Sequence, residues 1–133
     1  PPPKNIELPD YFELHVDPPQ DQIRHIYAAC DAWITCSRSE GFNLPAMEAM
    51  ACRTPVISTK TGWPAEAIRS NFNGFLVDID DTNAVAEGIE YVLNTSESEW
   101  QKLSDNAYKT VEGSSWKKSA QLFESSLIAA VAK

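Results

Sequence analysis

The sequence predicts an α/β domain with a mostly parallel sheet flanked by helices. Three observations carry this. Ala32 to Cys36 is a short apolar run and Thr54 to Ser58 contains Pro-Val-Ile, and both read as buried parallel strands. Apolar residues at helical spacing fill the segments around them, as with Ile23, Ile26, Tyr27 and Cys30. Strands alternate with helices and helices finish the chain, the order expected of a layered α/β domain.

Taken in order, Pro1 to Pro9 reads as an extended lead-in, because proline excludes helix and removes donors. Tyr11 to Val16 reads as a short strand, broken by Asp17-Pro18-Pro19. Gln20 to Cys30 reads as a helix and Ala32 to Cys36 as a strand. After a polar turn from Ser37 to Gly41, Pro45 to Cys52 reads as a helix with proline in its first turn. Thr54 to Ser58 is the next strand, Trp63 to Arg69 a short helix, and Asn73-Gly74 a turn before a strand from Phe75 to Ile79. Asp80, Asp81 and Thr82 are candidate caps for a helix from Asn83 to Leu93. Ser96 or Ser98 caps a helix reaching about Val111. Ser114 or Ser115 starts the last one, with Trp116, Phe123 and Leu127 expected in the core.

At 133 residues this is one domain of common size, and 43% hydrophobic residues suffice for a core. The net charge is −8 and no stretch concentrates Lys or Arg, which argues against a nucleic-acid partner. Three cysteines, Cys30, Cys36 and Cys52, fit neither a disulfide framework nor zinc spacing; buried thiols in a reducing compartment are expected. There is no signal peptide and no bilayer-spanning apolar run. A cytoplasmic location is expected, with the inner face of a membrane reached through the parent enzyme. The Pro-Pro-Pro start suggests a fragment or a processed chain.

Open parallel sheets bind ligands beyond the carboxyl ends of their strands. The loops there are Asp17 to Pro19, Ser37 to Leu44, Thr59 to Pro64 and Asp78 to Asp81. The second is the most informative. Gly41 permits a tight turn and close backbone approach, and Asn43 tolerates unusual backbone angles and can cap. The N–H groups of the following helix start suit a diphosphate. Glu40 sits just outside this end and Glu48 about one turn inside. Carboxylates accept hydrogen bonds from sugar hydroxyls, so one can hold a hexose and the other a ribose, with the diphosphate between. Residue types alone leave a plainer reading open: a solvated Glu40, and a Glu48 that only answers its helix dipole.

The stretch Glu40-Gly41-Phe42-Asn43-Leu44-Pro45-Ala46-Met47-Glu48-Ala49-Met50-Ala51-Cys52 resembles the E-x7-E element of retaining GT-B glycosyltransferases. Thr54-Pro55-Val56-Ile57 is similar to that family's next strand. Thr61 to Ile68 resembles its Gly-Gly-x-x-Glu-x-Ile loop, Asn73 to Val77 its Asn-Gly-x-Leu-Val strand, and Ser115-Trp116 the opening of its late helix. The likeness runs in order from about Phe12 to Phe123. It implies a Rossmann-like fold and a partial C-terminal domain, spanning residues 1–133, that binds a nucleoside-diphosphate sugar. Glu40, the position carried over as catalytic, would contact hydroxyls of the transferred sugar. Glu48 would bind the donor ribose. Backbone groups of Gly41, Phe42, Asn43 and Leu44 would line sugar and diphosphate, Val16 would lie beside the base, and Thr61 and Gly62 would sit near the same cleft. No metal or other cofactor is implied.

Some positions depart from the pattern. Asn43 replaces a frequent Gly of similar backbone freedom. Arg53 replaces a Gly at the helix end, where a strained or altered cap is expected. Trp63 replaces the second Gly of its loop; narrowing the cleft, stacking on a ligand and packing on a neighbouring domain all remain open. His15 could face the donor cleft from the end of the first strand, with a structural or exposed histidine as the plainer reading, and His25 reads as a helix-surface residue. Glu97, Glu99, Asp80 and Asp81 read as helix-start acids rather than a metal cage. No nucleophile elbow, Walker or GxGxxG sequence is present.

The resemblance also implies absent parts: an N-terminal acceptor-binding domain, and two strand–helix units bearing the Arg and Lys that neutralise the diphosphate. Arg38 and Lys60 are near the cleft but are not their equivalents. In the doubly wound order 3-2-1-4-5-6, the Tyr11 strand would be separated from the Ala32 strand by two strands not in this sequence. A smaller rearranged sheet, or strands borrowed from another chain, is therefore expected, and exposed strand edges make self-association plausible. The expected function is that of a donor-binding fragment, inactive alone, of a retaining glycosyltransferase. The alternative is a non-catalytic nucleotide-binding or interaction module on the same scaffold; a nucleotide-sugar epimerase lacks support in the motifs.

Overall fold

A computed structural model of the chain describes residues 9–132. The proline-rich lead-in, apart from Pro9, lies outside the described residues. In chain order run α1 (Gln20–Ala28), β1 (Trp33–Thr35), α2 (Leu44–Ala51), β2 (Val56–Thr59), α3 (Pro64–Ala67), β3 (Gly74–Val77), α4 (Thr82–Asn94), α5 (Glu97–Val111) and α6 (Trp116–Val131). The strands form one parallel sheet in the order β1-β2-β3, with Ile34 opposite Ile57 and Ile57 opposite Phe75. Every residue of β2 is buried, the polar Ser58 and Thr59 included, as expected of a central parallel strand.

Successive residues of β2 serve opposite layers, because strand side chains alternate. Val56 joins Tyr27, Ala46, Ala49, Met50, Ile68, Ala107 and Val111 in a core built by α1, α2 and α5. Ile57 joins Phe75, Val92 and Leu103, with Val85 and Ile89 of α4 packed against them. Three helices take the caps expected of Asp or Ser. Asp81 accepts from the Ala84 N–H at 2.9 Å, Ser96 from Glu99 at 3.3 Å and Ser115 from Lys118 at 3.2 Å.

Five expectations are corrected. The Ala32 strand is not buried on both faces: no residue of β1 is fully buried, and Ile34 is 44% exposed. The sheet is not rearranged: its three strands keep the sequential order of the 4-5-6 half of a doubly wound sheet. Among the described residues β1 has a neighbour on one side only. With three residues it leaves few backbone groups unpaired, which is how short edge strands are tolerated. Tyr11 to Val16 forms no strand: it opens on a turn in which the Phe12 N–H donates to the Pro9 carbonyl at 2.9 Å, pairs with no strand among the described residues, and leaves Tyr11 88% exposed. α6 buries none of its residues, and Trp116, Phe123 and Leu127 are all exposed. Its apolar stripe has helical spacing, but a stripe says only that a helix can be covered, not by what. Cys36 is exposed rather than buried, while Cys30 and Cys52 are half-buried; burial pushes both of these thiols up.

The altered cap after α2 is present. Arg53 adopts the left-handed region at φ 67°. α5 holds it there: its guanidinium pairs with Asp105 and lies 4.5 Å above the Tyr108 ring, and its carbonyl accepts from Ser104 Oγ at 2.7 Å. Arg53→Ala keeps the strained backbone and loses both side-chain contacts, whereas Arg53→Gly loses the contacts but relieves the strain. Arg53→Gly is therefore expected to be more stable than Arg53→Ala by about 1 kcal/mol in urea unfolding. Equal stabilities would refute the strain.

Candidate functional site

The parallel register puts three loops at one edge of the sheet: those after Thr35, Thr59 and Val77. They are tied together. Thr59 Oγ1 donates to the Ser37 carbonyl at 2.6 Å, the Trp63 N–H to the Phe42 carbonyl at 2.9 Å, and the Lys60 N–H to the Val77 carbonyl at 3.0 Å. Two ion pairs close the far side, Lys60 with Asp78 at 2.7 Å and Arg38 with Asp80 at 3.0 Å. Both cations of this edge thus already face carboxylates. All four side chains are at least half exposed, so these pairs are weak and readily exchanged.

Asn43 is the pivot between β1 and α2. It sits in the left-handed region at φ 73°, ψ 62°, and is buried. Its Oδ1 accepts from the Ala46 N–H at 3.3 Å, and its Nδ2 donates to Thr35 Oγ1 at 3.0 Å. Two sequence readings change here. The sharp turn belongs to Asn43, not Gly41, whose φ is not positive and which has nothing within 4 Å of where a Cβ would stand. The helix start is also less open than expected: Pro45 has no N–H and Ala46 spends its own on Asn43. The N–H groups of Gly41, Phe42, Asn43 and Leu44 make no hydrogen bond among the described residues. Any anion here would therefore meet the loop and Leu44 rather than the whole first turn.

Glu40 is half-buried at the loop's start, held by Ser37, whose hydroxyl donates to Oε1 at 2.6 Å. Glu48 lies four residues into α2, about 6 Å along the axis from Leu44. It is exposed, and Oε2 accepts from the Tyr27 hydroxyl at 3.1 Å. Burial first, and then the hydrogen bond to Glu48 and its charge, push the Tyr27 phenol well above its ordinary ionisation range, so it remains a donor.

Gly62 faces Glu40 and Phe42. At φ 57°, a Cβ on it would stand 2.8 Å from the Phe42 carbonyl oxygen and 3.0 Å from the Glu40 Cβ. The loop after β2 therefore closes directly on the residues it was expected to neighbour. Thr61 is buried beside it, its hydroxyl 3.4 Å from that of Thr59. Trp63 stacks on Phe42, ring centroids 5.8 Å apart and 20° from parallel, and also packs against the core that Val56 shares with Tyr27 and Met50. Leu44 is 46% exposed. Val16 ends the unpaired segment before Asp17; it is 62% exposed and belongs to neither core cluster. His15 is on the surface, 3.2 Å from Glu13.

Sequence reasoning missed the two side chains that hold the carboxylates. Ser37 was recoverable from its spacing to Glu40. Tyr27 was not, being 21 residues from Glu48 and brought to it only by the packing of α1 on α2.

A parallel sheet with one carboxylate in a carboxyl-end loop and another in the helix that follows has the α/β architecture of the doubly wound class, in which ligands are taken at that edge. The chain belongs to the family of glycosyl transferases group 1, which matches it over residues 4–110. Relatives bear this out. The D-inositol 3-phosphate glycosyltransferase of Rhodococcus opacus is 36% identical over 117 residues, 86% of this chain and 26% of that protein. The C-terminal domain of a glycosyl transferase group 1 family protein (LpcC) from Francisella tularensis is 32% identical with a TM-score of 0.66, over 74% of this chain and 50% of that one. Anabaena Alr3699/HepE in complex with UDP-glucose is 28% identical with a TM-score of 0.62, over 67% of this chain and 24% of that one. The chain spans between a quarter and a third of the length of the first curated relatives it matches. Among the described residues no helix is long and apolar enough to cross a membrane.

Proposed function

We propose that this chain is the donor-binding part of a retaining glycosyltransferase, a partial C-terminal domain that takes a nucleoside-diphosphate sugar. The observation that carries the reading is the arrangement of Glu40 and Glu48 on either side of the N–H groups of Gly41 to Leu44, which have no partner among the described residues. The diphosphate lies along those N–H groups at the α2 start, where the helix dipole favours negative charge. Glu40 accepts hydrogen bonds from hydroxyls of the transferred sugar. Glu48 accepts them from the ribose, and the exposed Val16 side chain is left for the base. The backbone groups stabilise the leaving diphosphate as the glycosidic bond breaks. The chain's own site needs no metal ligand in this scheme.

Titration of uridine diphosphate and UDP-glucose into wild type, Glu48→Ala and Glu40→Ala tests the assignment. Glu48→Ala is expected to weaken both ligands by about ten- to a hundredfold, the worth of charge-assisted hydrogen bonds. Glu40→Ala should leave the diphosphate unchanged and remove the extra affinity conferred by the sugar. Unchanged binding of both ligands by Glu48→Ala rules out the ribose role, and a loss of diphosphate affinity in Glu40→Ala rules out the sugar role.

A further inference from the structure

We propose that Tyr27 is the positioning residue for Glu48: it presets the carboxylate in the orientation in which the remaining oxygen receives a ligand hydroxyl. This rests on the ribose reading of Glu48. The two residues differ sharply in their surroundings. Glu48 is exposed on α2, and a long side chain there samples many rotamers that binding must freeze, which opposes affinity. Tyr27 is 6% exposed and fixed at three points. Its ring meets Trp33 edge-on, with centroids 4.7 Å apart and an interplanar angle of 72°. Its carbonyl accepts from Thr54 Oγ1 at 2.7 Å. Its hydroxyl donates to Glu48 Oε2 at 3.1 Å. Glu48 Oε1 has no hydrogen-bond partner among the described residues, so the oxygen left over is the one a ligand can use. α1 thereby reaches the site without touching the ligand.

A plainer account would have the hydroxyl merely satisfied by a nearby acceptor. The two differ in what Tyr27→Phe does. The removed donor leaves Glu48 Oε2 at an exposed position where water replaces it, and the ring keeps its packing on Trp33, so thermal stability should hardly change. Ligand discrimination should change. Titrations followed by NMR, which reaches weak affinities, compare uridine diphosphate with its 2′,3′-dideoxy counterpart. Tyr27→Phe is expected to weaken the ribose ligand about three- to tenfold and leave the dideoxy ligand unaltered, and to add no loss when combined with Glu48→Ala. Equal weakening of both ligands, or an undiminished further loss in the Glu48→Ala background, overturns the proposal.

A ligand-free measurement separates this from the ribose reading itself. The Glu48 side-chain couplings should report one rotamer in wild type and an average in Tyr27→Phe. Averaged couplings in wild type would show that Tyr27 does not hold the carboxylate, whatever the ligand does. A single rotamer in wild type, together with a Glu48→Ala variant that binds ribose and dideoxy ligands as wild type does, would instead locate the failure in the ribose assignment.

Discussion

Asn43→Ala should lower the stability of the domain by about 3 kcal/mol, whereas Asn43→Gly should lower it by only about 1. Three effects converge on the alanine variant. A cap to the Ala46 N–H is lost, for about 0.5–2 kcal/mol. The bond to Thr35 Oγ1 is lost, for about 1 kcal/mol. Alanine must also hold a left-handed backbone, for about 1–2 kcal/mol, and glycine need not. Glycine is in addition a fair N-cap, which reduces the first term to a few tenths of a kcal/mol. In a domain of this size the alanine variant should melt roughly 10 °C lower. Urea and thermal unfolding of the two variants read this directly, and equal losses would mean that the left-handed turn carries no strain. The position matters to the site because Asn43 joins the end of β1 to the start of α2. Loosening it moves both Glu40 and Glu48.

Gly62→Ala is the second large effect. The added methyl group would stand 2.8 Å from the Phe42 carbonyl oxygen. That oxygen cannot simply retreat, because it accepts the Trp63 N–H at 2.9 Å from the same loop. The backbone at φ 57° adds its own penalty for any residue with a Cβ. Strain of about 1–2 kcal/mol and overpacking of about 1–3 kcal/mol make a total near 3 kcal/mol. The displacement falls on Glu40, 3.0 Å from the new atom, so the sugar-dependent part of donor affinity should fall with the melting temperature. Gly41→Ala is the control. It has open space and no positive φ, so its stability should stay within about 0.5 kcal/mol of wild type. Diphosphate affinity should still drop if the ligand approaches this backbone. A Gly62→Ala variant as stable as Gly41→Ala would refute the close approach of the two loops.

Much of this architecture was legible in the chain, for reasons that are local. Thr54 to Ser58 read as a buried strand because it holds Pro-Val-Ile without charged residues, and β2 is buried throughout. Ser96, Ser115 and Asp81 were readable as caps because a short side-chain acceptor needs only the N–H groups three residues ahead. The left-handed turn at Arg53 was expected from its position at a helix end. The failures are equally instructive. Tyr11 to Val16 has a strand's residues but no neighbour, and a strand's hydrogen bonds belong to its partner as much as to itself. α6 has an apolar stripe, and burial of such a stripe is decided by whatever surface faces it.

The carboxylates at 40 and 48 show the same division. Their spacing around a helix start, and the resemblance to a sugar-transferring family carried by that spacing, belong to the sequence alone, because seven intervening residues and one helical turn determine it. What holds Glu48, and what closes on Glu40, was decided only by the tertiary structure. Tyr27 reaches Glu48 because α1 packs on α2, Gly62 reaches Glu40 because β1 and β2 lie in parallel register, and Arg38 and Lys60 find Asp80 and Asp78 because three loops share one edge. These contacts join residues 18 to 42 positions apart. Local periodicity carries no information over such distances; the packing of the layers supplies it.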